Sequence, residues 1–228
     1  MLAICIPSGN DWKADFALSY GKLIRSLTED GTPHIVINIR SSDIYSSRNN
    51  ITDQALESGA TELLWLDSDL HFPADVYSRL KSEDKDFIGA TYLKRSMSGE
   101  LTHVERPENT GADIEEVFAL PGGCNLIQAK VYETVAWPWY AHIVDTKNRV
   151  LKGEDFTFSI QARKAGFSIW VHRPLSVELN HMAEVGLTFT DFPKSVMQCP
   201  PGYTGYTPFV PVKFVVHETK KPRVLENA

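Results

Sequence analysis

The sequence predicts an α/β fold, with a mostly parallel central sheet and helices on both of its faces. The run LLWL at residues 63–66 does not alternate with polar residues, as is typical of a strand buried on both sides. Strand and helix patterns also alternate along the first third of the chain. Because parallel strands are joined by right-handed crossovers, usually through a helix, this alternation favours a parallel sheet covered on both sides.

Each early element has its own local signals. A strand at residues 2–6 ends in the turn residues of PSGN, and apolar residues at helical spacing follow over 16–27. A second strand is expected at 34–39, and a helix at 48–58 ends at Gly59, a residue suited to a left-handed helix end. The LLWL strand comes directly after it.

The second half is less regular. We expect a short helix after residue 73, strands at 86–93 and 116–120, and a mixed signal at 125–135. A polar loop is expected at 94–110, a helix follows residue 153, and strands are expected at 167–172 and 176–181. One domain therefore spans residues 1–185. The remainder, 186–228, is rich in Pro, Gly and aromatic residues and is interpreted as an arm that wraps the same domain.

Composition excludes some classes of function. A formal charge of −6 disfavours a protein that grips nucleic acid through its phosphates. No run of eighteen apolar residues is present, and the N-terminal stretch lacks a basic segment, so we expect a soluble cytoplasmic protein without a membrane span. Three widely spaced cysteines fit a reducing compartment better than a disulfide framework.

Two carboxylates, Asp67 and Asp69, stand at the end of the LLWL strand. They repel each other unless a divalent cation or a basic side chain lies beside them. A solvated turn is the ordinary alternative for such a tripeptide. The position favours a binding site, since open α/β sheets bind ligands outside the carboxyl ends of their strands.

Three further features could carry chemistry, and each also has a structural explanation. Gly122-Gly123 allows close approach of the backbone to another group, or only a tight turn. Glu154 and Asp155 begin a helix, where the dipole favours anions. His181 ends a late strand, where a histidine is more often structural than a ligand.

Together these features resemble the nucleotide-sugar-dependent glycosyltransferases of the GT-A fold. The resemblance covers residues 2 to about 182 and is carried by SSRNNITDQAL, LLWLDSDLHFP, GGCNLI and GEDFTF. The chain is similar to family-2-like and related small enzymes of this fold, including those of large viruses and bacteriophages. Residues 1–185 would then be the catalytic domain.

The resemblance implies a donor site built around the two carboxylates. Asp69 would ligate Mn²⁺ or Mg²⁺ on the donor diphosphate, and Asp67 would contact the ribose or reach the metal through water. His181 would be a further metal contact. Ser68 and Gly123 would line the same donor site.

Other roles come from the same resemblance. Pro7 and Ser8 would cradle the nucleoside, and Arg48 would lie near the donor. Asp43 is the nearest match to the family's base-reading Asp, although it falls several residues late.

Asp155 would be the general base that accepts the acceptor's proton, with Glu154 beside it. The chemistry itself asks for a positive centre at the leaving diphosphate and a carboxylate at the acceptor hydroxyl. An imidazole ligand makes Mn²⁺ the first choice and Mg²⁺ the second.

The expected function is therefore a metal-dependent, inverting glycosyltransferase that uses a nucleoside-diphosphate sugar, with a UDP-sugar as first choice. Its partner would be a glycan or another acceptor with a hydroxyl group. The alternatives are a phage-type enzyme acting on a hydroxylated DNA base and a non-catalytic carbohydrate-binding protein. Nucleotidyl transfer is less favoured, because IPSGND lacks a Gly-rich phosphate loop.

Overall fold

The computed structural model describes residues 1–94, 102–106, 110–144, 147 and 150–182. Within them lie one eight-stranded sheet, two two-stranded ladders and six helices. The sheet strands are β1 (Leu2–Ser8), β2 (His34–Arg40), β3 (Glu62–Leu66), β5 (Phe87–Gly89), β6 (Val104–Glu105), β7 (Ile114–Ala119), β8 (Cys124–Gln128) and β11 (Ile169–His172). The ladders pair β4 (Leu70–His71) with β12 (Asn180–His181), and β9 (Ile143–Val144) with β10 (Val150–Lys152). The helices are α1 (Ala14–Glu29), α2 (Ile44–Glu57), α3 (Val76–Ser82), α4 (Ala129–Thr134), α5 (Glu154–Lys164) and α6 (Arg173–Ser176).

The large sheet has the order β2-β1-β3-β8-β5-β11-β7-β6. β1 is parallel to β2 and β3, and β5 is parallel to β11, whereas β8 is antiparallel to both β3 and β5. By these pairings only β7 and β8 run against the other strands. The mostly parallel sheet predicted from the sequence is confirmed, and its architecture is GT-A-like and Rossmann-type.

Two apolar cores cover the two faces of this sheet. Along β3, Leu63 and Trp65 point into one core, while Leu64 and Leu66 point into the other. The first core packs under α2, α4 and α5, and the second under α1, α3 and α6. This division explains why LLWL shows no alternation, because a strand between two helical layers buries both of its faces.

The structure corrects three element predictions. The polar loop expected at 94–110 contains the short strand β6, which pairs with β7. Helix α2 begins at Ile44 rather than Arg48, because Asp43 takes the extended backbone of an N-cap residue. The strand expected at 176–181 is wrong over most of its length. Instead α6 begins at Arg173, with Pro174 in its first turn, and the Leu175 backbone N–H donates to the side chain of His172. Only Asn180–His181 forms a strand.

The proposed arm at 186–228 lies outside the described residues, as does Cys199. Cys5 and Cys124 are both buried and free, and burial raises the pKa of the Cys124 thiol to about 12. No helix within the described ranges is long and apolar enough to cross a membrane.

Candidate active site

The candidate site lies where the carboxyl end of β3 meets the start of β8. Antiparallel pairing puts Leu66 opposite Cys124, so the residues after β3 and those before β8 share one edge of the sheet. The Asp67 backbone N–H donates to the carbonyl of Gly123 at 2.9 Å, which joins the two segments. The two sequence motifs, DSD and GG, are therefore neighbours in space.

Arg48 lies beneath this edge and links three parts of the site. Its Nη2 donates to Asp67 Oδ1 at 2.8 Å, its Nη1 to the Gly122 carbonyl at 3.1 Å, and its Nε to Glu154 Oε1 at 3.3 Å. The side chain is only 2% exposed. Each of its three nitrogens thus has a protein partner. Arg48, which was expected near the donor, links Asp67, Gly122 and Glu154 to one another.

The environment of Arg48 keeps it charged. Burial lowers its pKa, but the carboxylates of Asp67 and Glu154 more than offset this and raise it above the usual value. The guanidinium also lies against the ring of Trp65, 5.3 Å from its centroid, and against Tyr140 at 5.8 Å. Arg48 is therefore a fixed counter-ion for two of the site's acids.

Both glycines before β8 are needed for close packing. A Cβ at Gly122 would lie 2.6 Å from Cζ of Arg48, and one at Gly123 would lie 2.8 Å from Asp67 Oδ2 and overlap the hydroxyl of Tyr92. The Gly123 backbone N–H donates to that hydroxyl at 3.1 Å. The close backbone approach that the two glycines allow is therefore an approach to the side chains of Arg48, Asp67 and Tyr92.

Asp69 and His181 form the second part of the site. The β4–β12 ladder places His181 opposite Leu70, and the Met182 backbone N–H donates to the Asp69 carbonyl at 2.9 Å. As a result, His181 Nε2 lies 3.5 Å from Asp69 Oδ2.

The tautomer of His181 follows from its other nitrogen. Nδ1 lies 3.0 Å from the carbonyl of Leu93, which can only accept, so Nδ1 carries the hydrogen. In the neutral ring Nε2 then presents a lone pair toward the Asp69 carboxylate. Two acceptors facing each other require a proton or a cation between them, and a backbone carbonyl behind a histidine is a common support for a metal ligand.

The Asp69–His181 pair offers one oxygen and one nitrogen donor to a metal ion. Within the described residues no group of three or more His, Cys, Asp or Glu side chains is arranged to hold a metal ion. The structure thus brings together Asp69 and His181 of the three expected ligands, while Asp67 is engaged by Arg48. Two protein ligands fit an Mg²⁺- or Mn²⁺-type site in which substrate phosphates and water complete the coordination.

Asp155 lies on the other side of the Gly122-Gly123 turn. Its Oδ2 accepts from the Gly122 backbone N–H at 3.1 Å, and its Oδ1 from that of Phe156 at 2.8 Å. Burial, followed by the charge of Glu154, raises its pKa to about 6, although Arg48 and both hydrogen bonds act in the opposite direction. Glu154 itself is only 9% exposed and pairs with Arg48.

The remaining expected residues have simpler surroundings. Pro7 and Ser8 are buried at the end of β1, where Ser8 Oγ accepts from Asn38 Nδ2 at 2.9 Å. Asp43 is half-buried, and its side chain makes no capping hydrogen bond. Ser68 is half-buried, and its carbonyl accepts from the Lys13 backbone N–H at 3.1 Å.

Sequence reasoning missed Tyr92 and the Leu93 carbonyl. The Tyr92 ring packs edge-on against the His181 ring, with 4.9 Å between centroids, and its hydroxyl accepts from Gly123. Both residues follow β5, so the rule that ligands bind beyond strand ends could have singled them out.

Comparison with known proteins shows a shared fold. No family model matches the sequence, and no curated protein matches it either. Among solved structures, A197 from STIV matches with a TM-score of 0.55 and 15% identity, covering 81% of this chain and 87% of A197. At this identity the likeness shows the fold alone.

A second solved structure is a glycosyltransferase involved in glycosylation of the major capsid of PBCV-1. It matches with a TM-score of 0.41 and 18% identity, covering 75% of this chain and 82% of that enzyme. This likeness is too weak to indicate what the present chain does.

Proposed function

We propose that the protein is a metal-dependent glycosyltransferase that moves a sugar from a nucleoside-diphosphate sugar to an acceptor hydroxyl. The observation that carries the proposal is the Asp69–His181 pair, 3.5 Å apart, with the histidine's other nitrogen bound to the Leu93 carbonyl. UDP is the first choice of nucleotide and Mn²⁺ the first choice of metal.

On the donor side, the residues after β3 support the proposal. Breaking the bond between sugar and phosphate leaves negative charge on the diphosphate, and a divalent ion held by Asp69 and His181 would offset it. Asp67 is held in place by Arg48 at 2.8 Å, so its orientation is set before the donor arrives. Preorganised charges of this kind need no rearrangement during the reaction.

On the acceptor side, the environment of Asp155 supports its proposed role as the base. A pKa of about 6 leaves its carboxylate ionised at neutral pH, yet more basic than an ordinary aspartate. Backbone N–H groups of Gly122 and Phe156 fix both of its oxygens, which retain lone pairs for a substrate proton.

Inversion at the anomeric carbon is the expected stereochemistry. Retention through a covalent intermediate needs a second carboxylate as nucleophile, and Glu154, the neighbour of Asp155, is buried against Arg48. NMR of the first product formed should show the anomeric configuration opposite to that of the donor. The same configuration in product and donor would exclude inversion.

The direct test is calorimetric titration of UDP, GDP, CDP and dTDP into the protein, with and without Mn²⁺. One nucleotide should bind only with metal. His181→Ala and Asp69→Asn should each weaken that binding tenfold or more, by analogy with ~10- to 100-fold losses at metal-site partners.

The matched controls are His71→Ala and Asp75→Asn. His71 lies on the same ladder but opposite Asn180, and Asp75 has a largely exposed side chain. Both variants should bind like the wild type. Binding that is equally strong without metal, or absent for all four nucleotides, would contradict the proposal.

A further inference from the structure

A groove of about 450 Å³ lies between α5 and β7. Phe118, Phe156 and Ile160 supply most of its apolar wall, and Lys152, Arg163 and Lys164 supply its cations. The Phe118 side chain is 41% exposed, although it sits beside the core. The groove thus combines exposed rings with positive charge.

The groove is lined by the residue that follows the proposed base in α5. Phe156 follows Asp155 directly in the chain, and Phe156, Ile160, Arg163 and Lys164 share one side of α5. From Phe156 to Lys164 the helix rises about 12 Å, since each residue adds ~1.5 Å. An acceptor that extends from Asp155 along α5 would enter this groove.

The charge of the groove is opposite to that of the whole chain. Glu116 pairs with Arg163 at 3.0 Å and also contacts Arg106, and both arginines lie over the ring of Phe118. Lys152 and Lys164 are exposed, and neither makes an ion pair with any described residue. A protein of net charge −6 thus places a cationic, ring-lined surface beside its candidate acceptor site.

We infer that this groove binds the acceptor, and that the acceptor is an anionic saccharide carrying carboxylate, sulfate or phosphate groups. The inference rests on the proposed function, since it assumes that Asp155 serves an acceptor hydroxyl. Flat apolar rings suit the C–H face of a sugar. The exposed Lys152 and Lys164 match anionic substituents on the same sugar, and such opposite charges favour the correct partner over a neutral one.

The test is binding of the full-length protein to an array that carries carboxylated, sulfated and phosphorylated saccharides, their neutral parents, and acidic peptides. Wild-type protein should bind anionic saccharides at least tenfold better than the neutral parents. Lys152→Glu combined with Lys164→Glu should remove that preference. Phe118→Ser should weaken binding to anionic saccharides while leaving the affinity for inorganic phosphate unchanged.

The control is Lys22→Glu, which reverses an exposed lysine on α1 and should bind like the wild type. Equal binding to neutral parents, no binding to any saccharide, binding only to acidic peptides, or double-variant binding equal to wild type would each overturn the inference. The array needs neither donor nor turnover. Metal-dependent nucleotide binding, measured on the same preparations, therefore reports separately on the proposed function.

Discussion

At the scale of single residues, the guanidinium of Arg48 neutralises acids that come from two distant parts of the chain. Asp67 follows β3 and Glu154 begins α5, and both contact the buried guanidinium, with the Asp67 side chain partly exposed and that of Glu154 largely buried. Replacing one partner of a buried ion pair strands the others without compensation. The stability of the site therefore depends strongly on this one side chain.

Arg48→Met should destabilise the protein by about 3–5 kcal/mol, because two partly or fully buried carboxylates lose their counter-ion. Urea unfolding followed by circular dichroism measures this change. The matched control is Arg25→Met, which removes an exposed ion pair with Glu29 on α1 and should leave stability almost unchanged. Similar losses in both variants would show that Arg48 has no special role.

If Asp155 is the proposed base, Asp155→Asn should lower sugar transfer by about a hundredfold or more, because the acceptor's proton would lose its base. Wild-type activity should rise with pH through about 6 and then level off, since the ionised carboxylate is the active form. Initial rates across the pH range check both statements. Asp15→Asn is the control, because Asp15 holds the same position, second in its helix.

The same substitution separates a catalytic role from a structural one. The pKa of Asp155 is higher in the folded protein than the ordinary 3.8, so its ionisation disfavours folding, and stability falls as pH rises from that range to about 6. Asp155→Asn removes this titration but replaces one acceptor oxygen with an NH2 group, so its stability should not fall between about pH 4 and about 6 as that of the wild type does. An Asn variant whose stability falls as steeply as the wild type over this range would contradict this explanation.

At the scale of elements, local signals predicted the positions of most strands and helices but not all their directions. The apolar run of β3 and the turn at Gly59 were readable, because each depends on adjacent residues. The insertion of antiparallel β8 between β3 and β5 was not, because a buried apolar strand has the same pattern in either direction. The start of α2 was missed because Asp43 was not recognised as its N-cap residue.

Helix α1 offers a test of local propensity. Gly21 lies in the interior of α1, with open space where a Cβ would lie, so Gly21→Ala should stabilise the protein by about 0.5–1 kcal/mol. Gly31 follows the same helix with φ +66°, so Gly31→Ala should destabilise it although the space is equally open. Thermal unfolding of both variants should show opposite signs, and equal signs would refute the backbone explanation.

At the scale of the whole molecule, the sheet separates two cores. Ile51 is fully buried in the core under α2, and Ile88 is fully buried in the core on the other face. Ile51→Val and Ile88→Val should each cost about 0.5–1.5 kcal/mol. Because the two side chains share no core, the double variant should equal the sum within about 0.5 kcal/mol. A double-mutant cycle in denaturant measures this, and a larger coupling would show that the faces are not independent.

The site was predictable in its parts and not in its connections. Asp69, Asp155 and His181 could be singled out because each stands at the end of an element. The contacts of Arg48 could not, because its partners lie 19, 74 and 106 residues away in the sequence. Such contacts depend on the full topology, in particular on the direction of β8.

The packing of Arg48 above Gly122 also has an evolutionary consequence. Any side chain at position 122 would occupy the space of the guanidinium, so a larger residue there is tolerable only if position 48 shrinks as well. Among descendants of this gene the two positions should therefore change together. Loss of the arginine should also release positions 67 and 154 from the requirement to be acidic. Substitutions at positions 67, 122 and 154 would then become tolerable after the change at position 48.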